Sequence, residues 1–299
     1  MSRSGRLDCL VAGDANLDLL LNGTVHLEPG TEKIASSMRL TLGGSSSITA
    51  HNLARLGAKT ALATVIGKDS FGTQVLQELK AGGVDTRWIR MNPRLQTGLT
   101  VWHSENQLRA GITYPGSINA ISLMDIPIKA LQSARHFHVG AYFLLRGLHS
   151  KAETLFCRAK SAGCTTSLDC NYDPAGTWDS GLLDALPYID VFLPNEAELC
   201  SIARVDDVER AAKKLASKVS LIVVKCGARG VLVCHEGNVQ RYKASRARAI
   251  DSTGAGDSFN AGFLANFSKG VAFDACIRAG MAAARRSLTA VGGTDAFRK

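Results

Sequence analysis

The chain has 299 residues, 45% of them hydrophobic and 20% charged, which is ample for one large domain or two small ones. Its formal net charge is +9, yet Lys and Arg are dispersed; the densest places are 241–248 and 285–286, so no block marks a nucleic-acid or membrane-surface binder, and an anionic nucleotide is the favoured reason for the charge. No apolar run reaches the roughly 18 residues of a membrane helix. Residues 1–7 are basic without an apolar stretch and cleavage site, so no secretion signal is read and the expected location is the cytoplasm. The eight cysteines form no C-x-x-C pair. Cys9, Cys226 and Cys234 lie in or beside β-like runs, so reduced thiols packed as small hydrophobes are expected rather than disulfides or zinc.

Along the chain, 7–12 is a short apolar run ending in Gly13-Asp14 and reads as a buried strand. Short strands are expected at 18–21 and 38–42. A helix follows over 45–56, where Ile48, Leu53 and Leu56 share a face and Gly57 is the stop. Residues 60–66 are strand-like, and 70–80 is an amphipathic helix closed by Gly82-Gly83. Two β-like runs, 97–103 and 108–114, surround Glu105-Asn106 as a hairpin. Strands at 136–139, 166–169, 191–193 and 221–225 then alternate with helices at 151–161, 206–216, 256–267 and 273–287. Such alternation argues for a parallel sheet with helices on both faces, and the early hairpins read as a small β lid inserted into that body.

Residues 251–259, DSTGAGDSF, carry the chemistry. They open an apolar helix with small residues, which let backbone approach a phosphate. Unpaired N–H groups and the helix dipole at such an N-terminus favour negative charge. A carboxylate at Asp257 would repel phosphate, but it makes sense if it must take a proton from an attacking hydroxyl. A plain turn at Gly254 and Gly256 with Asp257 as helix cap is the alternative. The dinucleotide pattern G-x-G-x-x-G fails at Phe259, and no G-x-x-x-x-G-K-[ST] occurs.

Residues 251–264, DSTGAGDSFNAGFL, resemble the C-terminal signature of the ribokinase-like (PfkB) carbohydrate kinases. The resemblance implies an α/β fold: a ribokinase-like three-layer sandwich with a mostly parallel central sheet and a small β-sheet lid. It implies a single domain over 1–299, with lid segments near 14–42 and 95–116. The implied activity moves the γ-phosphate of MgATP to a hydroxyl of a small sugar or sugar acid. Asp257 would be the base, and Gly254, Ala255 and Gly256 the anion hole. Residues 13–18, GDANLD, resemble the first-strand motif, placing Asn16 and Asp18 at substrate hydroxyls. Gly43-Gly44 resembles the start of the N-terminal signature, where bare backbone meets the sugar. Here the chain departs from the family, with Ile48 where an Asn often contacts substrate.

Residues 65–72 match a G-x-D-x-x-G segment, read as a tight turn capped by Asp69. Asn195 and Glu198 resemble N-x-x-E, which in the family lies near the magnesium–phosphate water network; a helix N-cap with a first-turn acid reads equally well. Lys225, Gly227 and Gly230 resemble the nucleotide-side strand and turn, although a strand-end Lys is often only solvated. Asp251 and Thr253 fall to the anion-hole loop on the nucleotide side. In some relatives a monovalent cation sits close by, which makes K+ a candidate beside ATP and Mg2+. Residues 138–146 and 167–174, with lid residues Trp102, Arg109 and Tyr114, are expected to face the sugar, whereas His136 and His138 read as structural. Expected partners are the sugar, ATP and a second copy of the chain through the lid, with no nucleic acid and no membrane. A nucleoside kinase and a catalytically degenerate sugar sensor are the alternatives; the first needs a base-stacking site in a chain only 6% aromatic.

Overall fold

The structure, a computed structural model, describes residues 5–23, 28–105 and 108–298, with the backbone alone at 108 and 109. Its strands in chain order are β1 (Leu7–Ala12), β2 (Asn16–Asn22), β3 (Ser37–Gly43), β4 (Thr60–Gly67), β5 (Ile89–Asn92), β6 (Gly98–Glu105), β7 (Leu108–Tyr114), β8 (Ala134–Val139), β9 (Thr165–Leu168), β10 (Val191–Phe192), β11 (Leu221–Lys225), β12 (Val231–His235) and β13 (Asn238–Tyr242). Nine of them form one sheet in the order β13-β12-β11-β10-β9-β8-β1-β4-β5. All its pairings are parallel except those made by β12, which is antiparallel to β11 and to β13.

The central strands are apolar throughout because both faces are covered; β4 is buried at every position. Alternate residues enter opposite cores. Leu10 and Ala12 of β1 and Ala61, Ala63 and Val65 of β4 pack with the helices Ala152–Ser161, Glu196–Ala203 and Val208–Leu215. Cys9, Val11, Leu62 and Ile66 pack with the helices Ser45–Arg55, Ser70–Ala81, Ala255–Phe267 and Phe273–Ser287. Three layers result, as the resemblance implied. The hairpin β12–β13 is an addition to the sequence reading. It turns at Glu236-Gly237, both at positive φ (49° and 82°), a turn pair with a weaker signature than Asn-Gly.

The second sheet has the order β3-β2-β6-β7 and enters the chain at two places, after β1 and after β5. The turn expected at 105–107 lies largely outside the described residues, as do 24–27 within the first lid segment. Period-two alternation gives this sheet two unlike faces. On one, Leu17, Leu19 and Leu21 of β2 stand beside Leu42, Leu40 and Met38 of β3 and beside Leu99, Val101 and His103 of β6. Leu17 and Leu42 are buried on the body, while Met38, Ile112 and Tyr114 lie exposed at the far end and edge. The other face carries Asn16 and Asp18, beside Gly43 and Thr41 of β3 and Gly98 and Thr100 of β6.

Two carboxylates fix the joints. Helix Ser45–Arg55 begins at Gly44, which has no capping side chain. Asp14, just past β1, supplies the cap from a distance, accepting from Ser45 N at 3.0 Å and Ser46 N at 2.8 Å. Asp69 caps helix Ser70–Ala81 through Gly72 N (2.7 Å), as expected. It also accepts from Thr97 N (2.7 Å), tying that helix to the start of β6.

Candidate active site

In an open α/β sheet, ligands bind beyond the carboxyl ends of the strands where the strand order reverses. Here β1 is that place, between β4 and β8. The residues past the ends of β1, β9, β10 and β11 meet two helix N-termini there, beside the polar face of the small sheet.

The loop before helix Ala255–Phe267 is held from inside. Asp251 accepts from Thr253 N (2.9 Å), Thr253 Oγ1 (2.7 Å) and Gly292 N (2.8 Å). Gly254 is the N-cap, left-handed at φ 68°, a conformation that costs an L side chain about 1–2 kcal/mol. A methyl on it would come within 2.7 Å of Gly293 Cα. The first turn then presents backbone N–H groups, of which that of Ala255 makes a long bond to Ser252 O (3.2 Å). The two site helices are cross-linked: Thr49 Oγ1 donates to Asp257 O (3.3 Å), and Asn52 Nδ2 donates to Ser258 Oγ and Gly293 O, both at 3.0 Å.

Asp257 stands half-buried in that first turn. Desolvation, reinforced by the negative charge of Asp169, pushes its pKa well above the ordinary carboxylate range, and Lys225 opposes the shift. Lys225 Nζ donates to Asp169 Oδ2 at 2.5 Å, and the Asn260 amide donates to the same carboxylate. Burial works against the charged Lys225, but Asp169 and Glu198 hold its pKa above the usual value. A methyl on Gly256 would lie 3.7 Å from Lys225 Nζ, so the ammonium borders the first turn of helix Ala255–Phe267.

Asn195 and Glu198 form a capping box. Glu198 N donates to Asn195 Oδ1 (2.9 Å), and Asn195 N donates to Glu198 Oε2 (2.8 Å). Burial, with Asp169 nearby, pushes Glu198 up to about 7. Ligand atoms of Asp169, Cys170 and Glu198 lie within 4.8 Å of one another. Two carboxylates, one of them bonded to the Lys225 ammonium, make this a corner that would suit a magnesium ion through its water rather than a bare ion. Asn195 and Glu198 already bond each other, which leaves them suited to holding that water rather than the ion directly.

Asn16, Asp18, Gly43 and Gly44 come together. Asn16 Nδ2 donates to Leu17 O (2.9 Å), Asp18 Oδ1 (3.1 Å) and Thr100 Oγ1 (3.4 Å). A methyl on Gly43 would overlap the Asp18 carboxyl, and one on Gly44 would reach 2.8 Å from Asn16 Oδ1. The glycines are therefore needed for close approach. Ile48 packs beneath the anion-hole loop: methyls on Gly254 and Gly293 would lie 3.2 and 3.0 Å from its Cγ2.

Other expected contacts fall elsewhere. Gly230 backs onto the end of β13, where a methyl would meet Ala244 N at 2.7 Å, and Gly227 has nothing within 4 Å of such a methyl; the pair shapes the β11–β12 turn. Tyr114 pairs with Leu99, on the apolar face away from Asp18, because strand parity reverses it. Trp102 shares the face of Asp18, with its ring across Gly111, and the Arg109 side chain lies outside the described residues. Within 138–146, Tyr142 and Phe143 are core residues. His136 and His138 are linked through Ser167 Oγ at 2.7 and 2.8 Å. Desolvation lowers them to about 3 and about 4, which fits their structural reading. The reading missed Asp14 and Asn260, although both lie inside quoted motifs. Asp169 falls within 167–174, expected to face the sugar, and its bond to Lys225 was not foreseen.

The pattern of pfkB family carbohydrate kinases matches residues 6–299, so the chain belongs to that family, phosphotransferases with a hydroxyl group as acceptor. It is similar to a ribokinase of Haemophilus influenzae, 31% identical over 96% of this chain and 94% of the relative. It is also similar to a cytidine kinase of Thermococcus kodakarensis, 29% identical over 91% and 96%. Its fold matches that of an Arabidopsis thaliana ribokinase complexed with ribose and ATP, with a TM-score of 0.82 and 22% identity over 96% and 94% of the two chains. No helix among the described residues is long and apolar enough to cross a membrane.

Proposed function

We propose that the chain moves the γ-phosphoryl group of ATP to a hydroxyl of a small sugar-like alcohol, with Asp257 as general base. The observation that carries this is the position of one carboxylate, Asp257, in the first turn of a helix capped by left-handed Gly254 and tied to the facing helix through Thr49, with the charges of Lys225 and Asp169 acting on it. The alcohol lies on the cradle of Asn16, Asp18, Gly43 and Gly44. Asp257 takes the hydroxyl proton as the oxygen attacks in line. Backbone N–H groups of the helix's first turn and the Lys225 ammonium stabilise the phosphoryl oxygens. Magnesium, when bound, would supply charge neutralisation on the phosphates, and Asn195 and Glu198 would hold its water. The small sheet acts as the lid that keeps water from the transfer.

A nucleoside acceptor is the second reading, favoured by the likeness to a cytidine kinase and by Trp102 on the substrate-side face. A homodimer through the apolar face of the lid belongs to the proposal, supported by exposed Met38, Ile112 and Tyr114, and light scattering on purified protein measures it. The test of the activity is ADP release with MgATP and a panel of sugars, sugar acids and nucleosides, in K+ and in Na+ buffers. Asp257→Asn should lower turnover by about 10²-fold or more. A well-folded wild type that releases no substrate-dependent ADP across the panel would overturn the reading.

A further inference from the structure

We infer that the acceptor is recognised as a neutral polyol by three threonines, Thr41, Thr100 and Thr113, which form one row with Asp18 across the small sheet. This rests on the kinase reading above and narrows its acceptor, because it excludes substrates that carry a carboxylate.

The row follows from register. Asp18 of β2 stands opposite Thr41 of β3 on one side and Thr100 of β6 on the other, and Thr100 stands opposite Thr113 of β7. One residue from each of the four strands therefore lies at the same level, on the face that carries Asn16. The polar atoms are already connected: Asn16 Nδ2 reaches both Asp18 Oδ1 (3.1 Å) and Thr100 Oγ1 (3.4 Å), and Thr100 Oγ1 lies 3.0 Å from Thr113 Oγ1. Thr41 Oγ1 is buried with no hydrogen-bond partner among the described residues, beside bare Gly292. Burying a hydroxyl without a partner is costly, so such a group in a site points to a bond made with a ligand.

Threonine is also a common strand residue, and the pairing of Thr100 with Thr113 alone would be ordinary. What sets the row apart is its composition around a carboxylate. Hydroxyls donate and accept, matching the hydroxyls of a polyol in either sense. Among the described side chains the row has no cation of its own, and Arg109, two levels further out on β7, is described by its backbone alone. Arg39, one level further out on β3, is paired with Asp295, and Lys225 is paired with Asp169. A carboxylate on the acceptor would therefore meet Asp18 with nothing on the row to neutralise it.

The same chemistry is offered by a free sugar and by the sugar of a nucleoside. The experiment therefore measures ADP release with D-ribose, D-fructose, cytidine and 2-keto-3-deoxygluconate for wild type, Thr41→Val, Thr100→Val and Thr100→Ser. Neutral acceptors should exceed 2-keto-3-deoxygluconate in kcat/KM by tenfold or more, on the order expected for a repelled charge. Thr100→Val should raise the acceptor KM by about threefold to tenfold, the loss of one hydrogen bond. Its kcat and its KM for ATP should stay unchanged, and Thr100→Ser should recover the acceptor KM. Ribose against cytidine separates free sugar from nucleoside. Preference for 2-keto-3-deoxygluconate, or unchanged acceptor KM in both valine variants, overturns the inference. If wild type releases no ADP with any of the four or with the wider panel above, the kinase reading fails. Calorimetric binding of the same compounds to wild type and Thr100→Val then decides the row by itself.

Discussion

Replacing Gly254 by Ala tests the anion hole without touching any charge. Its backbone sits at φ 68°, so an alanine there costs about 1–2 kcal/mol before any contact is counted. The new methyl would lie 2.7 Å from Gly293 Cα and 3.2 Å from Ile48 Cγ2. Carbon atoms rest at about 3.5–4.0 Å, so the loop must yield by about 1 Å. It cannot yield toward Gly293 freely, because Asp251 ties the same loop to Gly292 and Asn52 ties Gly293 to the facing helix. The displacement therefore falls on the first helical turn, which carries Asp257 and the N–H groups proposed to meet the phosphoryl oxygens. Misplacing reacting groups by about 1 Å costs about 10²-fold in rate. Overpacking adds about 1–3 kcal/mol of destabilisation. Steady-state ADP release should show kcat lowered by about 10²-fold, with the acceptor KM within about twofold, since the Asp18 cradle lies on another element. Urea unfolding should show a loss of about 2–5 kcal/mol in total. A variant with wild-type kcat and unchanged unfolding midpoint would refute the claim that this loop is rigid and that its shape sets the rate.

Ile48→Asn, which restores the residue common in the resembling family, should destabilise the protein by about 1–3 kcal/mol and gain no activity; Ile48 is 2% exposed against Gly254 and Gly293, and an amide there is buried without an evident partner. Denaturant melts with kinetics check it, and higher activity would contradict the packing role. The acid limb of kcat/KM should lie well above pH 3.8, because the base must be ionised and burial with Asp169 raises its pKa; a limb at or below 4 would contradict that environment. His138 is held neutral to about pH 4, whereas in the unfolded chain it protonates near 6.5, so protons bound by the unfolded state take stability away as pH falls through that window. The stability advantage of wild type over His138→Gln should therefore shrink by about 1.4 kcal/mol per pH unit between 6.5 and 4.5; a constant difference in urea unfolding would count against a buried neutral imidazole.

What the sequence disclosed was mostly what is contiguous. The Gly254–Asp257 turn and the Asp69 cap each act within a few residues, and each was legible as a motif; the Gly43-Gly44 pair was legible too, although what it approaches, Asn16 and Asp18, lies on another strand. The contacts that escaped reading act across long stretches of chain. Asn260 reaches Asp169 over 91 residues, Asn16 reaches Thr100 over 84, and Asp14 caps a helix 31 residues on. Nothing local to any of these residues announces its partner. Tyr114 shows the complementary failure: it was placed on the right strand but the wrong face, since a one-residue change of parity decides which side of a sheet a side chain meets. Gly227 and Gly230 matched a nucleotide-side pattern, yet the packing that Gly230 demands is with the adjacent hairpin.

The unlike faces of the small sheet carry one more consequence. A slip of β2 by a single residue would turn Leu17 and Leu19 toward the acceptor and send Asp18 outward, abolishing the cradle at once. What forbids the slip is not the cradle itself, whose polar groups would be content in water, but the leucines on the reverse side that must find the body and one another. The oily back of the sheet thus works as the alignment key for its polar front. A substitution such as Leu19→Lys, on the reverse face of the sheet, would disarm the protein by misaligning Asp18 beside it on the strand.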